Sequence, residues 1–173
     1  MKTIEIKLYS YEELSNEAKQ KALNNYAQIN VEHDWWQSTY EDAANIGLKI
    51  TGFDLDRNRH ATGELLLAAN EVAQNIIKHH GAECETYKTA QSFLNEWEPV
   101  FNNYMDETHE NYESKESEDI LNELETDFLN SLLKDYSIML QKECEYLQSE
   151  NAILETFTAN DYTFEENGKM RNI

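Results

Sequence analysis

Residues 2–9, KTIEIKLY, alternate strictly: Ile4, Ile6 and Leu8 fall on one side, and Glu5, Lys7 and Tyr9 on the other. A period of two predicts a half-buried strand. The period then lengthens to that of a helix. Ser10 with Glu13 reads as a capping box and Ser15 as an N-cap. Ala18, Ala22, Tyr26 and Ile29, with Leu14 a turn earlier and Leu23 flanking, mark one helical face over 17–29. Asp34 is placed to cap a second helix, 35–46, with Trp36, Tyr40, Ala43 and Ala44 on one face and Gly47 as its left-handed stop. Residues 48–56 and 60–67 then read as two strands joined at Arg57-Asn58-Arg59. Leu48 and Ile50 share a parity that Phe53 and Leu55 break, which predicts a bulge at Gly52. A helix over 69–80 follows, with Val72, Ile76 and Ile77 inward and Gly81 as its stop.

The rest of the pattern is helical. Tyr87, Ala90, Phe93, Leu94 and Trp97 give a helix over 85–97. Pro99, the only proline, predicts a break before a second run from Val100 to about Tyr112. The stretch 106–119 is polar, with Ser114 and Ser117 as caps or linker. Leu121, Leu124, Phe128, Leu132, Tyr136, Met139, Leu140, Cys144 and Leu147 then step along a long helix, 118–147. Ser149 caps a short helix through Phe157. The segment DYTFEENGKMRNI reads as a hairpin turning at Asn167-Gly168. The expectation is a single α+β domain, 1–173. A small antiparallel sheet of three or four strands (N-terminal strand, central hairpin, C-terminal hairpin) packs against several helices. The strand-containing half is about 1–81 plus 160–173, and the acidic helical half about 82–159.

Composition sharpens this picture. The 173 residues carry 34 Asp+Glu against 14 Lys+Arg, a formal charge of −20, yet 11% are aromatic. That aromatic content separates the chain from a disordered acidic tail. Five glycines and one proline argue against a turn-rich β-sandwich. No apolar run reaches a membrane span and no hydrophobic leader follows Met1. Cys84 and Cys144 stand far apart and outside any C-x-x-C, so reduced thiols in the cytoplasm are expected. The acidity is lopsided: 12 carboxylates against 8 cations in residues 1–80, but 22 against 4 in residues 81–166. It peaks over 106–127, with Asp106, Glu107, Glu110, Glu113, Glu116, Glu118, Asp119, Glu123, Glu125 and Asp127 against Lys115 alone. On continuous helices Asp106, Glu110 and Glu113 would stack as one row, and Asp119, Glu123 and Asp127 as another. Like charges at this spacing weaken a helix, so the rows point to a partner. Carboxylates about 6 Å apart along a rod resemble successive phosphates and would be drawn to a basic groove built for nucleic acid. A solvated, solubilising face is the competing reading. Direct nucleic-acid binding is disfavoured, because it requires clustered Lys and Arg.

Catalytic and metal chemistry is thinly signalled. Asp54 and Asp56, two apart on a strand, with Glu64 on its neighbour, form the best candidate for a hard cation. His79 and His80 point about 100° apart on a helix and suit its negative end better than one shared ion. His109-Glu110 lacks the second histidine of H-E-x-x-H, and His33 with Asp34 has no nucleophile in prospect. No glycine-rich phosphate loop and no G-x-S-x-G occurs, so neither a catalytic residue nor a cofactor is expected. Trp36 reads as core, and Trp35 as half exposed or an interface anchor.

The H-D-W-W-x-x-x-Y-E-D helix, the G-L-K-I-T-x-F-D-L-D strand, H-G-A-E-C-E-T-Y-K-T-A, D-F-L-x-x-L-L-K-D-Y-x-I-M-L-Q-K-E and the terminal N-D-Y-x-F span nearly the whole chain. In these the chain resembles a family of small acidic proteins from phages, prophages and mobile elements, some labelled antitoxins. The resemblance implies a phage-like origin and no catalytic residues. In size and charge the chain is similar to phage proteins that block CRISPR or restriction nucleases. The leading expectation is therefore a non-enzymatic inhibitor in the host cytoplasm. It would occupy the basic nucleic-acid groove of a defence protein such as a CRISPR effector, through Asp106, Glu107, Glu110, Glu113, Glu116, Asp119, Glu123 and Asp127, with Trp35 as anchor. The alternatives are an antitoxin or homodimer built on the long helix, and a metal-dependent enzyme centred on Asp54, Asp56 and Glu64.

Overall fold

The computed structural model describes residues 5–171, which form an α+β chain rich in helix. Local chemistry sets most boundaries. The Ser10 amide and hydroxyl both donate to the Glu13 carboxylate, closing a 3-10 turn over Tyr11–Glu13. Ser15 Oγ accepts from the Ala18 amide and starts α1, Asn16–Asn25. Helix α2, Gln37–Ile46, begins later than the sequence suggests. Its N-cap is Trp36, without a side-chain bond, so Asp34 does not cap it. It ends at Gly47, whose φ of +92° only glycine adopts freely. Of its expected inner face, Ala43 is buried and Ala44 exposed; Thr39 and Ile46 complete the buried side.

Strands β1, Leu48–Asp54, and β2, His60–Leu65, pair antiparallel, with the register slipping between Ile50 and Gly52 as the parity change predicts. Helix α3, Ala69–His79, follows. The long helices are α4, Glu85–Met105, and α5, Lys115–Leu147. Ser149 Oγ accepts from the Ala152 amide to begin α6, Glu150–Ala159. Strands β3, Thr163–Phe164, and β4, Met170–Arg171, close over Asn167-Gly168. No helix among the described residues is long and apolar enough to cross a membrane.

Three expectations are corrected. Among the described residues, the sheet of three or four strands is instead two two-stranded sheets, β1-β2 and β3-β4. Of the N-terminal strand, residues 2–4 lie outside the described residues; the described part makes one bridge, Tyr9 with Phe164, and Ile6 is 52% exposed. Tyr9 lies against a buried cluster, whereas residues 5–7 are exposed and have no buried face to favour pairing. Pro99 does not divide α4. It is exposed, as is Asn95, so the carbonyl that loses its helical partner can be hydrated. Trp97 and Phe101 stack across it at 4.3 Å, holding both flanks in one helix. The second run expected over 100–112 therefore belongs to α4 as far as Met105, and a chain of turns replaces it from Asp106 to Ser114. There Asp106 accepts from the Thr108 amide at 2.9 Å and hydroxyl at 2.7 Å, a local bond that competes with the helix.

The chain divides into two compact units. One comprises Trp36–Gln141. Its core joins Ile46, Leu48, Val72, Ile76, Phe93, Trp97, Phe128, Leu132 and Tyr136, with Phe93 stacked on Phe128 at 4.3 Å. The other comprises Met1–Trp35 and Lys142–Ile173. Its core joins Leu14, Ala18, Ala22, Ile153, Phe157 and Phe164. Around that core the Tyr26 hydroxyl accepts from the Met170 amide at 2.9 Å, and Thr156 donates to Asn30 at 2.6 Å.

In urea unfolding, Leu132→Ala is expected to cost about 2–5 kcal/mol, because the side chain is fully buried in its core. Gly168→Ala is expected to cost about 1–3 kcal/mol. Its φ is +84°, and an added Cβ would lie 2.3 Å from the Ala18 carbonyl oxygen.

Candidate interface on the acidic helix

Helix α5 starts at Ser114, whose Oγ accepts from the Ser117 amide at 3.2 Å. Its inner side is apolar, with Leu121, Phe128, Leu132 and Tyr136 buried. At about 100° per residue, Glu116, Asp119, Glu123 and Asp127 fall within about 80° of one another on the other side, and all four are exposed. Asp127 also borders a groove of about 250 Å³, across which α4 contributes Glu96.

The remaining candidate carboxylates do not extend this row. Asp106, Glu107, Glu110 and Glu113 are exposed, but they sit on turns. The helical stacking of Asp106, Glu110 and Glu113 is thus corrected. Glu113 adopts a φ of +45° while its amide donates to the Tyr104 carbonyl at 2.9 Å. The Asp106 carboxyl is held below its usual range, first by the Thr108 hydroxyl, then by the Thr108 amide. Glu125 is half-buried and accepts from the Trp97 indole at 3.2 Å, an internal role. Among the described residues, no carboxylate from Asp106 to Asp127 enters an ion pair. Trp35 is half-buried and belongs to the other unit. Trp36 meets Phe53 edge-on at 5.5 Å. The long helix's apolar stripe is largely consumed by packing, although Met139 stays exposed.

The hairpin does not gather Asp54, Asp56 and Glu64. Asp54 pairs across from His60, four positions from Glu64, a separation of about 13 Å along the strand. The Asp54 carboxylate instead accepts from the Asp56 amide at 2.8 Å, and Glu64 binds Lys49 at 2.7 Å. That lysine, by hydrogen bond and then by charge, lowers the Glu64 carboxyl below its ordinary range. Among the described residues, no three His, Cys, Asp or Glu side chains are grouped to hold a metal ion. Cys84 and Cys144 are both free thiols.

The sequence gives no sign of the polar cluster at the heart of the larger unit. The Tyr136 hydroxyl donates to Asp42 at 2.8 Å, and His80 Nδ1 lies 2.7 Å from the Thr86 hydroxyl. His80 Nε2 is buried without a hydrogen-bond partner, 3.6 Å from Asp42. The four residues come from α2, the end of α3, α4 and α5, so only the tertiary fold assembles them. Thr86 is buried, and the cluster ties the four elements together. Burial, then the bond to Asp42 and its charge, push the Tyr136 phenol far above its ordinary value. The unfolded chain releases that proton first. Stability from this group is therefore complete below about pH 10 and declines as pH rises further. Tyr136→Phe is expected to cost about 1 kcal/mol at neutral pH. Urea midpoints measured from neutral pH to beyond about pH 10 should fall less steeply for the variant.

No protein-family model, curated protein or solved structure matches the chain.

Proposed function

We propose that this chain is a non-enzymatic acidic inhibitor that docks on the basic, nucleic-acid-binding surface of a host defence protein, of the anti-CRISPR or anti-restriction kind, in the host cytoplasm. The observation carrying this reading is the row Glu116, Asp119, Glu123 and Asp127: exposed, on one side of a helix, and free of internal ion pairs among the described residues. Helical rise spaces carboxylates four residues apart by about 6 Å, comparable with successive phosphates on a strand. A charge of −20 adds a long-range field that accelerates encounter with a basic groove. The carboxylates of the 106–114 turns would add to the field without extending the row.

The test is a panel of purified CRISPR effectors and restriction nucleases, assayed for nucleic-acid binding with and without the protein. At least one member should lose its nucleic acid, and its direct affinity for the protein should fall steeply as salt rises from about 0.1 M to 1 M. The E116Q/D119N/E123Q/D127N variant should bind that member at least about tenfold more weakly. It should fold at least as well as the parent, because its changes remove like-charge neighbours. Binding indifferent to both salt and the four changes would overturn the reading.

A further inference from the structure

A second concave feature lies in the unit formed by residues 1–35 and 142–173. The cleft measures about 320 Å³ and opens between the Tyr11–Glu13 turn and the C-terminal end of α6. Phe157, 2% exposed, forms its floor. Tyr11 and Tyr162 flank it, their rings 5.7 and 6.3 Å from that of Phe157. Glu12 and Asp161 supply carboxylates, and among the described residues no cationic side chain lines the cleft.

Two details give this lining a chemical direction. Asp161 holds a φ of +50°, a region that few residues other than glycine, asparagine and aspartate tolerate. The bend is fixed by its own amide on the Thr158 carbonyl and by the Tyr162 amide on the Phe157 carbonyl. An anion is thus kept beside the aromatic rings at some conformational cost, with no ion pair among the described residues. The second detail is an internal precedent. Lys19 Nζ lies 5.5 Å from the Tyr11 ring centroid and 3.8 Å from the Glu12 carboxylate, yet Lys19 does not line the cleft. The same ring and the same carboxylate already attract one cation from within the chain.

We propose that this cleft binds a guanidinium group, with the planar cation against Tyr11 and Tyr162 and its N–H donors on Glu12 and Asp161. A guanidinium suits the lining better than an ammonium. It stacks on aromatic faces, sheds water more readily and presents paired donors to a carboxylate. The volume, at the small end of ligand pockets, accommodates an arginine side chain. This inference does not depend on the proposed function, because the two sets of carboxylates belong to different units.

The test is a titration of the full chain followed by its amide NMR signals, using N-acetyl-arginine-N-methylamide, the matching lysine and citrulline compounds, and free arginine. The arginine compound should move the signals of Tyr11, Glu12, Asp161 and Tyr162 saturably. The citrulline compound, neutral and of the same shape, should bind about tenfold more weakly. E12Q and D161N should each weaken arginine binding; asparagine keeps the backbone conformation at 161, so the cleft survives the change. Tighter binding of blocked than of free arginine assigns the site to an arginine within a protein, and the reverse order to the amino acid itself; either supports a guanidinium site. Equal binding of the citrulline or lysine compound, indifference to both substitutions, or equally strong shifts along α5 would overturn the proposal.

Discussion

Four carboxylates along one side of a helix repel one another, and α5 holds them because its opposite side is buried. Leu121, Phe128, Leu132 and Tyr136 lie within a core that also contains Phe93 and Trp97 from α4. Burying several such side chains is worth far more than the few tenths of a kcal/mol that each like-charge neighbour costs. The acidic surface and the core are thus two sides of one helix. Past Tyr104, the last residue of α4 packed against that core, the helix ends at Met105 and the chain runs through turns from Asp106 to Ser114.

The elements most legible in the sequence are those decided by a few adjacent atoms. Ser15 and Ser149 accept from the third amide of their helices, and Gly47 takes up the left-handed backbone. The change of parity after Ile50 is a true slip in register. The misreadings arise where distant packing outweighs local preference. Pro99 reads as a break, yet the Trp97–Phe101 stack carries the helix past it. KTIEIKLY reads as a strand, yet among its described residues only Tyr9 finds a pairing partner. Two hairpins read as one sheet because alternation reports pairing within each hairpin and says nothing of pairing between them.

The candidate site is legible in charge and only partly in geometry. Counting carboxylates locates the acidic stretch, but only half of the predicted rows stay on a helix. The Asp42–His80–Tyr136 cluster leaves no trace in the sequence, since Asp42 and Tyr136 are 94 positions apart and each reads as an ordinary member of its own helix. The cleft of Tyr11, Glu12, Phe157, Asp161 and Tyr162 is hidden for the same reason: its two halves meet only after folding.

The bond from the Met170 amide to the Tyr26 hydroxyl spans 144 positions, and it belongs to a unit assembled from two remote stretches of chain. On the ribosome, Trp36–Gln141 emerges whole and can pack while translation continues. Leu14, Ala18 and Ala22 emerge earlier still, but must wait for Ile153, Phe157 and Phe164 before they are covered. An apolar surface made before the larger unit is thus covered only after it, and that interval is when a newborn chain has most need of a chaperone.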